Sequence, residues 1–217
     1  MKRYAAVVFD WDGTVMDSTH SIVAAMQAAC IDLGLPVPAS ADASWVIGLS
    51  LESALYRAVP TLTHEQMPAF LQRYRVHFLT RDPDIKLFDG ILDLFSNLRA
   101  RQVRLAVATG KSRVGLDRAL NSMNLREQFA ATRCADESSS KPHPGMLLEI
   151  MDELDLKPEQ LIMVGDTIHD IQMASNAGVD SMAVTYGAHD KQTLVAAEPT
   201  VLVPGVREMQ AWLMDRV

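Results

Sequence analysis

The chain has 217 residues, 48% hydrophobic and 22% charged, enough apolar surface at this length to bury a core and to exclude a disordered chain. Lys and Arg number 20 against 27 Asp and Glu, for a net charge of −7. The basic residues are scattered, which makes a nucleic-acid partner a poor fit, because phosphate backbones attract basic faces. Cys30 and Cys134 have neither CxxC spacing nor a paired His, so a disulfide framework and a Cys-based zinc site are both excluded, and a reduced, cytoplasmic setting is predicted. Met1-Lys2-Arg3-Tyr4 leads into only five apolar residues before Asp10, short of the about 7–15 that a secretory signal requires. No run approaches the roughly 18 apolar residues of a membrane span.

Taken in chain order, short apolar runs at 5–9, 103–108, 161–164, 182–185 and 201–203 read as buried parallel strands. Helical stripes fall between them. Ile91, Leu94, Phe95 and Leu98 keep the spacing of one helix face, as do Leu116, Ala119, Leu120 and Met123, and again Leu147, Ile150, Met151 and Leu154. This alternation predicts an α/β fold with a doubly wound parallel sheet, which binds ligands at the carboxyl ends of its strands. The stretch 17–86 breaks the alternation, with helical pattern and no clear strand. Ile22, Ala25, Met26, Ala29, Cys30 and Leu33 form one stripe, stopped by Gly34, and Met67, Phe70, Leu71, Tyr74 and Phe78 form another behind the capping box Thr63–Gln66. Both stripes read as core packing. The predicted organisation is an α/β core of residues 1–16 plus 87–217 and a small inserted helical domain of residues 17–86.

Four strand ends carry candidate chemistry. Asp10 follows the first strand, and Asp12 stands two residues on, followed by Gly13, which permits a sharp turn. Two close carboxylates repel unless a cation or proton lies between them, so the pair fits a divalent metal site, a nucleophile beside an acid/base, or an ordinary Asx-rich turn. Thr109-Gly110-Lys111-Ser112 closes the strand at 103–108 and opens a helix, which suits a phosphate or a plain N-cap. Lys141 precedes a helix with Pro144 in its first turn and reads as a phosphoryl-neutralising cation or a surface lysine. Asp166 and Asp170 follow the strand at 161–164, four residues apart and near one helical face, a hard-oxygen pair suited to Mg²⁺. His169 between them reads as a loop histidine rather than a ligand. His20 reads as helix surface. Arg57, Arg73, Arg75 and Arg81 read mostly as solvated helix residues, the alternative being contact with a carboxylate or second phosphate.

Together these elements resemble the haloacid dehalogenase superfamily, specifically its phosphatases with a helical cap. Asp10-Trp11-Asp12-Gly13-Thr14 looks like its first motif, DxDGT. Thr109 and Lys141 match its second and third, and Gly165-Asp166-Thr167-Ile168-His169-Asp170 matches its fourth, GDxxxD. The segment 46–50 and Thr185-Tyr186-Gly187 look like those of phosphoglycolate phosphatase-type members. The resemblance implies a Mg²⁺-dependent phosphomonoester hydrolase acting on a small phosphorylated metabolite. Asp10 would be the nucleophile that forms an aspartyl-phosphate, and Asp12 the acid and then the base. Thr109, Gly110 and Lys141 would bind the phosphoryl group. Mg²⁺ would be held by Asp10, the Asp12 carbonyl and Asp166, with Asp170 beside it. Asp12 argues against a dehalogenase, which lacks that residue. The absence of lysine from 17–85 argues against the phosphonate-cleaving members. A sugar-phosphate mutase, a pyrophosphatase and a non-catalytic binding protein of the same fold are the alternatives. The expected assembly is a monomer or homodimer, with no membrane partner.

Overall fold

The computed structural model describes residues 4–81 and 85–217, so Met1, Lys2 and Arg3, where the reading for a leader segment began, lie outside the described residues. Six strands form one parallel sheet: β1 (Ala6–Phe9), β2 (Arg104–Thr109), β3 (Phe129–Cys134), β4 (Leu161–Gly165), β5 (Asp180–Val184) and β6 (Val201–Val203), in the order β3-β2-β1-β4-β5-β6. The doubly wound α/β expectation is borne out. The chain winds outward in both directions from β1 and β4, so the crevice between their carboxyl ends is the switch point where such sheets take ligands.

Both faces of the sheet are covered, and successive side chains alternate between them. Val7 and Phe9 of β1 enter the larger core. Ala6 and Val8 enter a second, with Met146, Leu147 and Ile150 of α7 (Gly145–Leu154) and Met173 of α8 (Ile168–Asn176). On the first face α5 (Ile91–Ala100) packs against β2 and buries Ile91, Leu94, Phe95 and Leu98, the four positions that the spacing assigns to its inner side. The helices α6 (Arg113–Ser122), α9 (Lys191–Ala196) and α10 (Val206–Met214) complete the layers.

The strand β3 has no counterpart among the predicted runs. Its sequence, FAATRC, mixes Thr132 and Arg133 with small residues. It is the edge of the sheet, and Arg133 turns out to Glu149 and Glu153 of α7 at 2.7 Å each. An edge strand buries only part of itself, so it lacks the continuous apolar run of its central neighbours.

Between β1 and α5 the described chain is helical: α1 (Thr19–Asp32), α2 (Ser40–Trp45), α3 (Leu51–Ala58) and α4 (Met67–Arg81). The helices α1 and α4 pack on each other, burying Met26, Ala29 and Cys30 from one and Phe70, Tyr74 and Phe78 from the other. The chain leaves and returns through a paired neck. Met16 bridges Leu87 antiparallel, Asp17 N–H donates to the Lys86 carbonyl at 2.9 Å, and Phe88 N–H donates to that of Val15 at 3.1 Å. Among the described residues no helix is long and apolar enough to cross a membrane.

The first core depends on an aromatic stack. Phe95 lies 5.3 Å, edge on, from both Phe9 and Phe129, and joins α5 to β1 and β3. Phe95→Ala removes that joint and opens a cavity, and should cost about 3–5 kcal/mol of unfolding free energy in urea titration. A loss under about 1 kcal/mol would show that the core closes around the gap and that the stack is dispensable.

Candidate active site

The turn after β1 is built around Trp11. Its ring is fully buried, 6.0 Å edge on from Phe129 of the unforeseen strand β3. Its carbonyl accepts from the backbone N–H groups of Thr14, Val15 and Met16 at 3.4, 3.0 and 2.9 Å. With Trp11 pinned, Asp10 is left at the mouth of the switch-point crevice. Its backbone N–H continues the ladder to the Val164 carbonyl at 2.9 Å.

Across the crevice, Asp166 follows β4. It accepts from the Thr14 hydroxyl at 2.7 Å and from Ala188 N–H at 2.7 Å. Two glycines give it room, since a Cβ at Gly13 or at Gly187 would stand 2.2 Å from Asp166 Oδ2. Asp170 lies in the first turn of α8, where its Oδ2 accepts from Thr167 N–H at 3.1 Å and from the Thr167 hydroxyl at 2.7 Å. This is a reciprocal cap of the Thr-x-x-acid type, and Thr167-Ile168-His169-Asp170 carries its signature in the sequence.

The structure brings Asp10, Asp166 and Asp170 together, one oxygen from each within 4.8 Å of the others, all three buried. Lys141 reaches in from before α7. Its Nζ lies 2.7 Å from Asp10 Oδ1 and 2.6 Å from Asp170 Oδ1, with no solvent exposure of the side chain. The contact with Asp10 is a buried ion pair through Oδ1, and among the described residues Asp10 Oδ2 has no hydrogen-bond partner. Burial, above all, holds the Asp10 carboxyl well above the usual carboxylate range. The Lys141 charge opposes this, and Asp170 and Asp166 add to it. Asp166 is pushed up to about 7, first by burial and then by Asp170, against the hydrogen bonds from Ala188 and Thr14 and the charge of Lys141. Burial alone would lower the Lys141 ammonium, but Asp10 and Asp170 outweigh it and raise it.

These charges test the fit of a metal. With all three ionised, the carboxylates beside one ammonium would leave an excess of two negative charges in a buried space, the condition that burial opposes and a cation relieves. The donors are hard oxygens, and a divalent cation of the Mg²⁺ kind matches both the charge and the donor type.

The other predicted residues fall around this cluster. The Asp12 carboxylate is turned elsewhere. Its Oδ1 accepts from the Ser18 hydroxyl at 2.7 Å, and Lys111 Nζ lies 2.8 Å from its Oδ2 and 3.1 Å from its Oδ1. Thr109 ends β2 next to β1, buried, with its hydroxyl accepting from Lys111 N–H at 3.1 Å. Gly110 lies under the loop between α2 and α3, where a Cβ would stand 2.3 Å from the Leu49 carbonyl oxygen and 2.5 Å from that of Gly48. The segment 46–50 therefore covers the carboxyl edge of the sheet.

The loop is held by contacts that the sequence reading did not find. The carbonyl of Trp45 accepts from His169 Nε2 at 3.1 Å and from His189 Nε2 at 2.9 Å. His189 Nδ1 accepts from Ile168 N–H at 3.1 Å, so its partners assign the Nε2–H tautomer. Burial lowers both imidazoles, that of His169 to about 4, and both are neutral near pH 7. His169 was expected in a loop. It is instead a buried residue of the first turn of α8, because Thr167 caps that helix one residue before Ile168. His20 is exposed on α1, as expected. Arg57 lies 4.0 Å over the Trp45 ring, Arg73 pairs with Asp32, and Arg75 is exposed.

Residues 7–184 match the model of the family "Haloacid dehalogenase-like hydrolase". The chain is 35% identical over 210 residues to "Probable phosphatase IndB" of Dickeya dadantii, covering 94% of this chain and 90% of the relative. It is 30% identical over 198 residues to the phosphoglycolate phosphatase of Synechococcus elongatus, covering 91% and 92%. The fold is similar to a crystal structure of "a predicted phosphatase from Clostridium acetobutylicum", 25% identical, with a TM-score of 0.86 over 98% of this chain and 99% of that one. The chain belongs to the haloacid dehalogenase-like hydrolase family, among its phosphatases.

Proposed function

We propose that the protein hydrolyses small phosphate monoesters of the phosphoglycolate type through a phosphoaspartyl intermediate on Asp10, with Mg²⁺ as cofactor. One observation carries the reading: Asp10 stands at the sheet's switch point, buried, with Oδ1 paired to Lys141 and Oδ2 without a hydrogen-bond partner among the described residues, beside two further carboxylates. A nucleophile needs a lone pair free for the bond it will form, and Asp10 Oδ2 has no hydrogen-bond partner among the described residues while Oδ1 pairs with Lys141. The phosphoglycolate phosphatase of Synechococcus elongatus is a relative along nearly the whole chain. The cap in this reading is residues 17–86. Two free, buried cysteines accord with a cytoplasmic setting. The chain acts as a monomer or homodimer, with a small metabolite as its partner.

The cation would be held by the carboxylates of Asp10 and Asp166 and the backbone carbonyl of Asp12, with Asp170 beside them. When bound, it neutralises the phosphate so that an anionic nucleophile can approach. Lys141 and the Thr109 hydroxyl, with Gly110 N–H, bind the phosphoryl oxygens, where charge accumulates in transfer. Asp10 attacks phosphorus as the ester oxygen departs, and Asp12 gives that oxygen a proton. Asp12 then takes a proton from water, which attacks the phosphoaspartyl phosphorus and restores Asp10. Asp170 fixes Lys141 and caps α8, which positions both ends of the cluster. The loop 46–50 excludes bulk water while this happens.

Replacing Asp10 with Asn keeps the shape and removes the anionic nucleophile. Turnover of p-nitrophenyl phosphate should fall by at least about 10³-fold with the thermal melt preserved, and near-wild-type turnover would remove Asp10 from that role. Excess EDTA should abolish activity, Mg²⁺ should restore it, and Ca²⁺ should do so poorly, because Ca²⁺ takes more oxygen ligands at longer distances. Full activity in EDTA would end the metal assignment.

Asp12→Asn keeps the backbone carbonyl and loses the proton donor. An alkyl leaving group needs that proton as its P–O bond breaks, whereas p-nitrophenolate leaves as a stable anion. The loss in kcat/KM should be about 10-fold or more greater on an alkyl ester than on the aryl one. Equal proportional losses would make Asp12 an electrostatic residue and not the acid.

A further inference from the structure

The site has a second side, which the phosphoryl chemistry does not use. Beyond the carboxylate of Asp12, away from Asp166 and Asp170, the described structure places cations of the core under aromatic rings of the helical insert. Lys111 is 13% exposed at its side chain, as is Asp12, and its Nζ holds both Asp12 oxygens. The same Nζ lies 5.1 Å from the centre of the Phe78 ring on α4. The guanidinium of Arg118, on α6, lies 5.9 Å from that ring centre. Tyr74 stacks beside Phe78 at 6.0 Å, and Asp12 lies near enough that its charge adds to burial in raising the Tyr74 phenol. The groups beside Asp12 therefore come from different parts of the chain: Lys111 and Arg118 from the loop and helix after β2, Tyr74 and Phe78 from α4.

On the reading above, Asp12 meets the ester's leaving oxygen, so whatever is attached to that oxygen comes among these groups. We infer that Lys111, backed by Arg118, reads an anionic group on the leaving alcohol and so determines specificity for phosphate esters of short acids. The inference rests on the proposed phosphatase reading and goes beyond it by naming the residue that selects the alcohol.

The geometry sets the length. Two hydrogen bonds of about 2.8 Å and the width of one carboxylate separate Lys111 Nζ from the leaving oxygen by at most about 8 Å. An alcohol of two or three carbons ending in a carboxylate spans that gap. An ammonium has three donors, and Asp12 engages it through two contacts, so a substrate anion is accepted without giving Asp12 up. Phe78 and Tyr74 keep the contact out of bulk water, where a charge-assisted hydrogen bond is worth more than at an open surface. Lysine on a flexible stem suits a small anion presented as a point charge.

The test compares two esters of equal length that differ in the charge of the leaving group: 2-phosphoglycolate, whose alcohol carries a carboxylate, and 2-hydroxyethyl phosphate, whose alcohol is neutral. The wild-type enzyme should favour the first. Lys111→Met should lose about 10- to 100-fold more in kcat/KM on the first than on the second, mostly through KM, as expected for a lost hydrogen bond to a charged group. Lys111→Arg should recover part of the preference, and Arg118→Gln should weaken it less. Inhibition by free glycolate, read with p-nitrophenyl phosphate as substrate, should weaken in parallel in Lys111→Met. Equal losses on the two esters in both Lys111 variants would show that Lys111 only positions Asp12 and would overturn the inference while leaving the phosphatase reading intact. A wild-type enzyme that hydrolyses no phosphate ester would overturn both.

Discussion

Three buried carboxylates share one small space with a single ammonium group, and much of the surrounding structure answers that fact. Burial raises the cost of ionising Asp10 and Asp166, and the neighbouring carboxylates add to it: Asp170 and Asp166 on Asp10, and Asp170 on Asp166. The chain divides the compensation unevenly. Asp170 is satisfied by Lys141 and by the Thr167 cap, and Asp166 by Thr14 and Ala188. Asp10 has only the Lys141 ion pair among the described residues. Asp10 therefore faces two held carboxylates, whose charge opposes its own ionisation, and one ammonium, which favours it. Asp10 Oδ2 is thereby the oxygen of the cluster left without a hydrogen-bond partner among the described residues.

The first-motif turn shows how the sequence delivers that arrangement. Trp11 separates two aspartates that meet different partners. Its ring is locked under β3 and its carbonyl gathers three backbone N–H groups. With the intervening residue fixed, Asp10 is directed into the triad, and the Asp12 carboxylate toward Ser18 and Lys111. Two carboxylates two positions apart would otherwise compete for one cation. Turned to separate neighbours, they can hold opposite roles in a single proton and phosphoryl exchange.

What was legible in the sequence follows from what makes a local pattern. The central strands are buried on both faces and so read as apolar runs, while β3, an edge carrying Thr132 and Arg133, does not. The helical insert was visible because strand pattern vanishes from it. Asp10, Asp166, Asp170 and Lys141 could be picked out because strand ends and helix starts mark them. Trp45, His169 and His189 could not, because their roles come from a carbonyl and two rings that meet only after folding, 124 and 144 positions apart. Lys111 lay within a marked segment, but nothing local distinguishes a lysine that pairs with Asp12 across 99 positions from one on the surface. The Thr167–Asp170 cap was readable from its spacing alone, and it would have placed His169 on the helix.

The covering loop poses the remaining physical question, since a site this enclosed must admit its substrate. The backbone at Gly48 and Leu49 approaches Gly110 so closely that a single added carbon would collide. Such a fit excludes water well but offers little adhesion of its own. The hydrogen bonds that hold Trp45 over the sheet come from two neutral imidazoles sharing one carbonyl, each worth about 0.5–1.5 kcal/mol net when exchanged for water. The paired neck at Met16 and Leu87 joins the insert to the core through backbone bonds. The insert is thus held on the core by the two imidazole hydrogen bonds to Trp45, by the cations of Lys111 and Arg118 under the Phe78 ring and by a shared apolar cluster.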